Sequence, residues 1–518
     1  MPLGGGFFIF TGSTLSTIIL AIASIIIARL LDPSEYGLYS VVFIVPSLML
    51  TFTGFGIGSA LVKFTARYKS ERKYRKISTL KSGILFNLII GLAMLMLSLI
   101  LADYLAVYLL KRQGIGQLLR LVSLVIVAQI LISTSSNVFI GVDEAEKTAL
   151  TSITQAIVKA LVAPLLILLG LGVLGALIGH VLGYLVGSIL GATLVLKIYK
   201  AYLQGTEDGS GLLTYLKQMI KYGIPLYCSS PVWRLLGQYQ SIALAQFASN
   251  IEIGNYSIAT MFSALIMFLS NPISASLFPA FSKLNLDSDH GDLKRLFQYS
   301  NRYALMLIVP ASIFLAIASN DFIGVLYGSR YTLAPLYLAI YSTTFLYTGF
   351  TLVLNSFFNG IGRTDVSFKA SLIQAVASIP LTIVLTYLYS IPGFIVSMLV
   401  SNIISIVYTY GTANSEYGMS FNLKSIVKIY LAALLSIAPA IVIMHFLSHE
   451  GILRLILMAF SFTLIYLTLI PALRALDEDD LDNLRTVFSR SRILSSLSEF
   501  VISYEGKLLK LFYSTSWA

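Results

Sequence analysis

The sequence predicts an all-α polytopic membrane protein, on three observations. Hydrophobic residues make up 57% of the 518 positions and charged residues only 11%, where a globular domain carries about 25% charge. Apolar stretches of the roughly 20 residues needed to cross the hydrocarbon layer recur from one end of the chain to the other. Such stretches, SLIQAVASIPLTIVLTYLYS at 371–390 among them, lack the strict alternation of a transmembrane β-barrel strand.

Cutting at polar interruptions gives about fourteen transmembrane helices, centred near residues 19, 49, 96, 129, 159, 184, 233, 267, 311, 345, 379, 401, 435 and 461. The first apolar run, Phe7 to Leu31, is longer than the core of a signal peptide, lacks a basic leader and runs straight into a second span. It reads as a retained first helix. The expected organisation is an N-lobe over 1–200 (spans 1 to 6), a cytoplasmic linker over 201–222 and a C-lobe over 223–412 (spans 7 to 12). A further helix pair follows over 413–474, then a cytoplasmic tail over 475–518. That tail turns from acidic to basic and amphipathic, a helix for the inner leaflet or the underside of the bundle.

Charge reports orientation. With the N-terminus inside, the even-to-odd connections and the tail hold 27 of the 35 lysines and arginines, which places them and both termini in the cytoplasm of a cell-membrane protein. The strongest anchor is KFTARYKSERKYRKISTLK at 63–81, with eight basic residues and one glutamate. Arg454 counts among the few cations on the other side. The net charge of +11 therefore describes topology, and no nucleic-acid partner is expected. One cysteine, Cys228, excludes an intramolecular disulfide and argues against a metal site. No Walker A sequence is present, and no cofactor is expected.

The chain repeats itself. A shift of 217 residues aligns Ser13 with Ser230, Ser24 with Ser241 and Ala28 with Ala245, and then Glu35, Gly37, Tyr39 and Ser40 with Glu252, Gly254, Tyr256 and Ser257. A shift of 219 aligns Phe139 and Gly141 with Phe358 and Gly360, and Ser152, Gln155 and Ala156 with Ser371, Gln374 and Ala375. Two blocks at nearly one offset indicate internal duplication. Six spans per copy is an even number, so both copies enter from the same side, related by a pseudo-twofold along the membrane normal with a cavity between them. Spans 13 and 14 are an addition.

The duplicated corner ARLLDPSEYGLYS, the basic loop after span 2, the segment GVDEAEKTAL and the span count resemble the Wzx-type polysaccharide-biosynthesis flippases. These belong to the superfamily that also holds multidrug and toxin extruders and lipid II flippases. The resemblance covers roughly residues 1 to 475. It implies a V-shaped pair of six-helix lobes that moves a polyprenyl-diphosphate-linked oligosaccharide by alternating access, with helices 1 and 7 beside the cavity. Its further partners would be membrane lipids and glycan-assembly enzymes. Many relatives carry an acid late in span 7 where this chain has Gln240, a departure that argues against carboxylate-based ion coupling there. A cation-coupled drug exporter of the same superfamily is the alternative. A glycosyltransferase or polymerase would need catalytic carboxylates over a sizeable external loop, which the sequence lacks, so no enzyme is expected.

A charged side chain inside the bilayer costs about 2.5–3.5 kcal/mol and should face protein or water. Arg234 lies mid-span 7, and Ser230, Arg234, Gln238, Ser241 and Ala245 form one polar helical stripe. Ser13, Thr17, Ala21, Ser24 and Ala28 form the matching stripe of small residues on span 1. Arg234 supplies the forked donor that a diphosphate requires; otherwise it neutralises a carboxylate. Lys159 in span 5 is the second phosphate candidate or one half of an internal pair. His180 in span 6 is an ion-coupling candidate or a structural hydrogen-bonding group. Asp103, toward the end of span 3 near Lys111, is an ion-coupling or interfacial acid. Arg29, Glu35 and Glu252 mark the corners as gate contacts or caps. Pro225 and Pro231 predict a bend or break in span 7.

Overall fold

Proline and glycine punctuate the apolar runs, and the helices end where they do because of it. In the computed structural model the described residues are 2–70, 78–202, 212–228, 231–284, 289–447 and 451–476, with 480–481, 485, 499, 502–509 and 511 of the tail. They are almost entirely helical. Eleven helical stretches among them are long and apolar enough to cross a membrane. Two of these, of 56 and 54 residues, have length for two crossings each at 1.5 Å per residue. Span 7 is not among the eleven, because residues 229–230 within it lie outside the described residues, and the expected count of fourteen is not reached by length alone.

The first compact unit comprises Met1–Ser257 with Thr386–Ile391. It opens with α1 (Pro2–Leu30), then α2 (Pro33–Val42) and α3 (Ile44–Thr51), which together make one span. Next come α4 (Ile57–Ser70), α5 (Ser78–Tyr104), which ends in a π-helical turn, α6 (Gly116–Gly141), α7 (Ala145–Leu166) and α8 (Gly172–Tyr202). Helices α9 (Leu212–Cys228) and α10 (Pro231–Phe247) follow. Span 7 is described on either side of residues 229–230, as α9 and α10, so the bend or break expected near Pro231 lies outside the described residues. Residues 229–230, and with them Ser230 of the expected stripe, lie outside the described residues.

The tightest packing in this unit has a cause written at four-residue intervals. Gly175, Gly179, Gly183, Gly187 and Gly191 form one ridge of α8. A β-carbon on Gly183 would stand 2.9 Å from the Gln155 carbonyl oxygen, and one on Gly187 would stand 3.0 Å from the Gln155 side chain. Small residues at this spacing let two membrane helices approach backbone to backbone. The two helices are joined by a sharp reversal at Gly170–Gly172, where Gly172 has φ 50° and ψ −131°.

The second unit comprises Ile258–Leu385 and Pro392–Ala518. It takes in the C-terminal end of α11 (Asn250–Met261), whose greater part lies in the first unit, then α12 (Ser263–Ser282), α13 (His290–Ile317), α14 (Ser319–Tyr327), α15 (Ala334–Ser342), α16 (Thr348–Gly360) and most of α17 (Thr364–Tyr417). The added pair is α18 (Leu423–Leu435) continuing into α19 (Ile437–Phe446), and α20 (Ile452–Ala472). These pack on α13 through Leu305, Val309, Ile429, Phe462 and Tyr466, and the same buried cluster includes Leu481, Ile502 and Leu509 of the tail. The described part of the tail therefore packs into this unit, one of the two places expected for it.

The unit also holds a buried charge pair at the start of α20. Arg454 Nε donates to Asp321 Oδ1 at 2.6 Å, with side chains only 6% and 0% exposed. Arg454 sits in the first turn of α20 as half of this buried pair. Asp321 of α14 is a buried acid that hydropathy alone passes over.

Candidate functional site

The duplicated corner is built as a helix start. Asp32 caps α2, accepting from the Glu35 amide at 2.8 Å, while the Asp32 amide reaches back to the Glu35 carboxylate at 3.3 Å. This reciprocal arrangement satisfies two orphan donors at once. In the second copy Ser249 takes the part of Asp32: its amide and hydroxyl each donate to Glu252 at 2.8 Å. Each corner glutamate also reaches a helix reversal in its own repeat. Glu35 borders Gly172, and Glu252 lies beside Ser390, whose φ of 52° and ψ of −132° reproduce Gly172 at a shift of 218 residues. Glu35 and Glu252 thus act as caps. Arg29 is exposed at the end of α1.

The stripe on span 1 stays open. Ser13, Thr17 and Ala21 are exposed and Ser24 is half-buried, with the Thr17 hydroxyl donating to the Ser13 carbonyl at 2.7 Å. The opposite face of α1 is closed, with Gly12 seated on Ala149 of α7 and Ala23 and Ile27 buried. On α10, Arg234 is exposed, and its guanidinium has no hydrogen bond or ion pair among the described residues. Four residues on, the Gln238 amide oxygen is buried without a donor, and Ser241 donates to the Gly237 carbonyl at 2.9 Å. No described carboxylate neutralises Arg234.

Lys159 is differently placed. It is 8% exposed and turned toward α8, where a β-carbon on Gly183 would stand 3.1 Å from its own Cβ. No ion pair among the described residues includes it. His180 Nδ1 is 2.7 Å from the Tyr39 hydroxyl, and its ring stacks on Tyr184 at 5.2 Å. This bond ties α8 to the corner helix α2. No hydrogen bond or ion pair joins Lys159 to Arg234. Asp103 pairs with Arg120 at 2.5 Å and is 69% exposed; Lys111 lies instead over the Phe247 ring at 5.1 Å. Among the described residues no cluster of three or more His, Cys, Asp or Glu side chains could hold a metal ion.

The helical membrane bundle carries duplicated corners and, on α10, an exposed guanidinium with no hydrogen bond or ion pair among the described residues. Solved structures share its fold. An inward closed lipid II flippase MurJ matches at TM-score 0.70 and 16% identity, covering 89% of this chain and 98% of that one. An inward-facing multidrug transporter of the MATE family matches at TM-score 0.64 and 15% identity, covering 77% and 94%. More particularly, the chain belongs to the polysaccharide biosynthesis protein family, whose model matches residues 3–285. It is 21% identical to an uncharacterized membrane protein of Methanocaldococcus jannaschii over 79% of this chain and 83% of that one. It is also 21% identical to the lipopolysaccharide biosynthesis protein WzxC of Escherichia coli, over 74% and 75%. The probable low-salt glycan biosynthesis flippase Agl15 of Haloferax volcanii is 20% identical over 30% of this chain and 33% of its own length.

Proposed function

We propose that this chain flips lipid-linked oligosaccharides, glycan precursors carried on a polyprenyl diphosphate, across the cytoplasmic membrane by alternating access, with both termini in the cytoplasm. It binds and releases its cargo and makes or breaks no bond. The observation that carries the reading is Arg234, an exposed guanidinium without a described partner on α10. A cation within an apolar run is costly to keep, and a diphosphate is the partner its fork fits. Gln238 and Ser241 extend the polar row on α10, and Thr17 and Ser24 offer the second row on α1. The Wzx and Agl15 relatives, which act in glycan assembly by their names, support the same class of cargo. Lys159 is assigned to the buried wall of the first lobe as a second positive charge.

Arg234→Ala is expected to abolish flipping while membrane abundance stays normal, and Arg234→Lys to restore part of it as a point charge. Accumulated lipid-linked glycan on the inner leaflet of cells reads both. Full transport by Arg234→Ala at normal abundance refutes the phosphate contact.

A further inference from the structure

The C-terminal tail docks by a face that carries an acid at its centre. Residues 502–509 are helical, with Ile502, Glu505 and Leu509 buried and Ser503 and Lys507 exposed. The buried positions, at i, i+3 and i+7, share one side of the helix. Ile502 and Leu509 enter the apolar cluster that holds Leu481 of the tail, Ile429 of α18, and Phe462 and Tyr466 of α20. The Tyr504 and Thr468 hydroxyls, 2.9 Å apart, fasten the same helix to α20. Glu505, between the two apolar anchors, is buried, and no hydrogen bond or ion pair among the described residues includes it.

The polar groups around it are already engaged. From α13, Arg302 pairs with the fully buried Asp480, and the Tyr303 hydroxyl donates to the same carboxylate at 2.7 Å. From α20, the Tyr466 hydroxyl donates to the Met306 carbonyl at 2.9 Å, and from α18 the Lys428 ammonium donates to the Arg474 carbonyl at 3.0 Å. On the tail helix itself Lys507 lies on the exposed side. One arginine thus serves two buried carboxylates, and Asp480 acts on Glu505 as a like charge. A buried carboxyl with neither cation nor donor is held as the neutral acid. Arg302 and Tyr303 satisfy Asp480 from α13 alone, so only the later part of the tail depends on that proton.

We propose that residues 502–509 form a proton-linked latch, which docks on the second unit while Glu505 is protonated and lets go when Glu505 ionises, leaving Asp480 anchored on Arg302. The inference goes beyond the transport reading and does not depend on it. Release uncovers the apolar cluster of α18 and α20 that Ile502 and Leu509 cover, so the surface beneath the tail responds to pH on its own side of the membrane. The docked helix binds the proton more tightly than the free one; docking is therefore strongest at low pH and weakens as pH rises through about 7.

Hydrogen exchange of the purified full chain, resolved by mass spectrometry to 502–509, tests the latch without any transport assay. Rates are divided by those of the unfolded chain at each pH, so that only local opening remains. Protection of 502–509 should fall about tenfold between about pH 6 and about pH 8.5, while α20 keeps its own. Glu505→Gln, which keeps the shape without the charge, should hold the segment's protection level across that range. If that variant fails to accumulate, the comparison of 502–509 with α20 in the parent decides. Protection of 502–509 that is flat with pH in the parent, that falls equally in Glu505→Gln, or that falls in step with α20 as unfolding of the whole unit would make it, overturns the proposal.

Discussion

Ser390 is the residue whose conformation its own chemistry does not favour. Its φ of 52° with ψ of −132° belongs to a region that glycine enters freely and other residues enter under strain. The first repeat uses Gly172 at the same place with nearly the same angles. Ser390→Gly is expected to raise stability by about 1 kcal/mol, read as a higher unfolding temperature in detergent. The sequence hid this pairing because serine and glycine do not align as identical. The same is true of Asp32 and Ser249: comparison by identity drops them, yet both cap a helix, because an oxygen acceptor at that position is all the cap requires. Arg234 was legible as a costly charge in an apolar run. Its lack of a partner among the described residues was not, since that depends on which carboxylates come near in three dimensions.

Helix α8 shows what spacing alone could have told. Five glycines at four-residue intervals form its seam with α7, and the seam has no room for branching. Gly183→Val is expected to cost about 3 kcal/mol or more, since the intruding methyls meet backbone of α7 that cannot yield; thermal unfolding in detergent would record it. The tail makes a pH-dependent element. Glu505 is 5% exposed, and burial together with the Asp480 carboxylate pushes its pKa up to about 7, while Asp480 itself pairs with Arg302. The folded unit holds this proton more tightly than an unfolded carboxyl with a pKa of about 4.3. The contribution is therefore complete at low pH and is lost as pH rises from about 4.5 through about 7. Glu505→Gln should flatten that slope and leave the protein more stable at pH 8 than the parent; a parental slope in the variant would contradict the assignment. Hydropathy could not find Glu505, because its neighbours are remote in sequence.

At the scale of the whole molecule, the membrane class, the duplication and the family were readable because each rests on composition or on short repeated motifs. The exact number of crossings was not, since two doubled stretches defeat a length rule and the middle of span 7 lies outside the described residues. The two buried pairs, Arg454 with Asp321 and Arg302 with Asp480, were also missed, each joining residues more than a hundred positions apart. The architecture that results has a cation-bearing α10 and paired corners in one unit, and the added helices and the described part of the tail packed into the other. Its central claim is that the cargo is recognised through its diphosphate. The direct measurement is leaflet exchange of a polyprenyl-diphosphate oligosaccharide in proteoliposomes of the purified protein. Wild type should exchange the diphosphate lipid rapidly and a neutral glycolipid of the same chain length slowly, and Arg234→Ala should exchange neither above protein-free vesicles. Equal exchange of both lipids, or wild-type exchange by Arg234→Ala, would contradict the account.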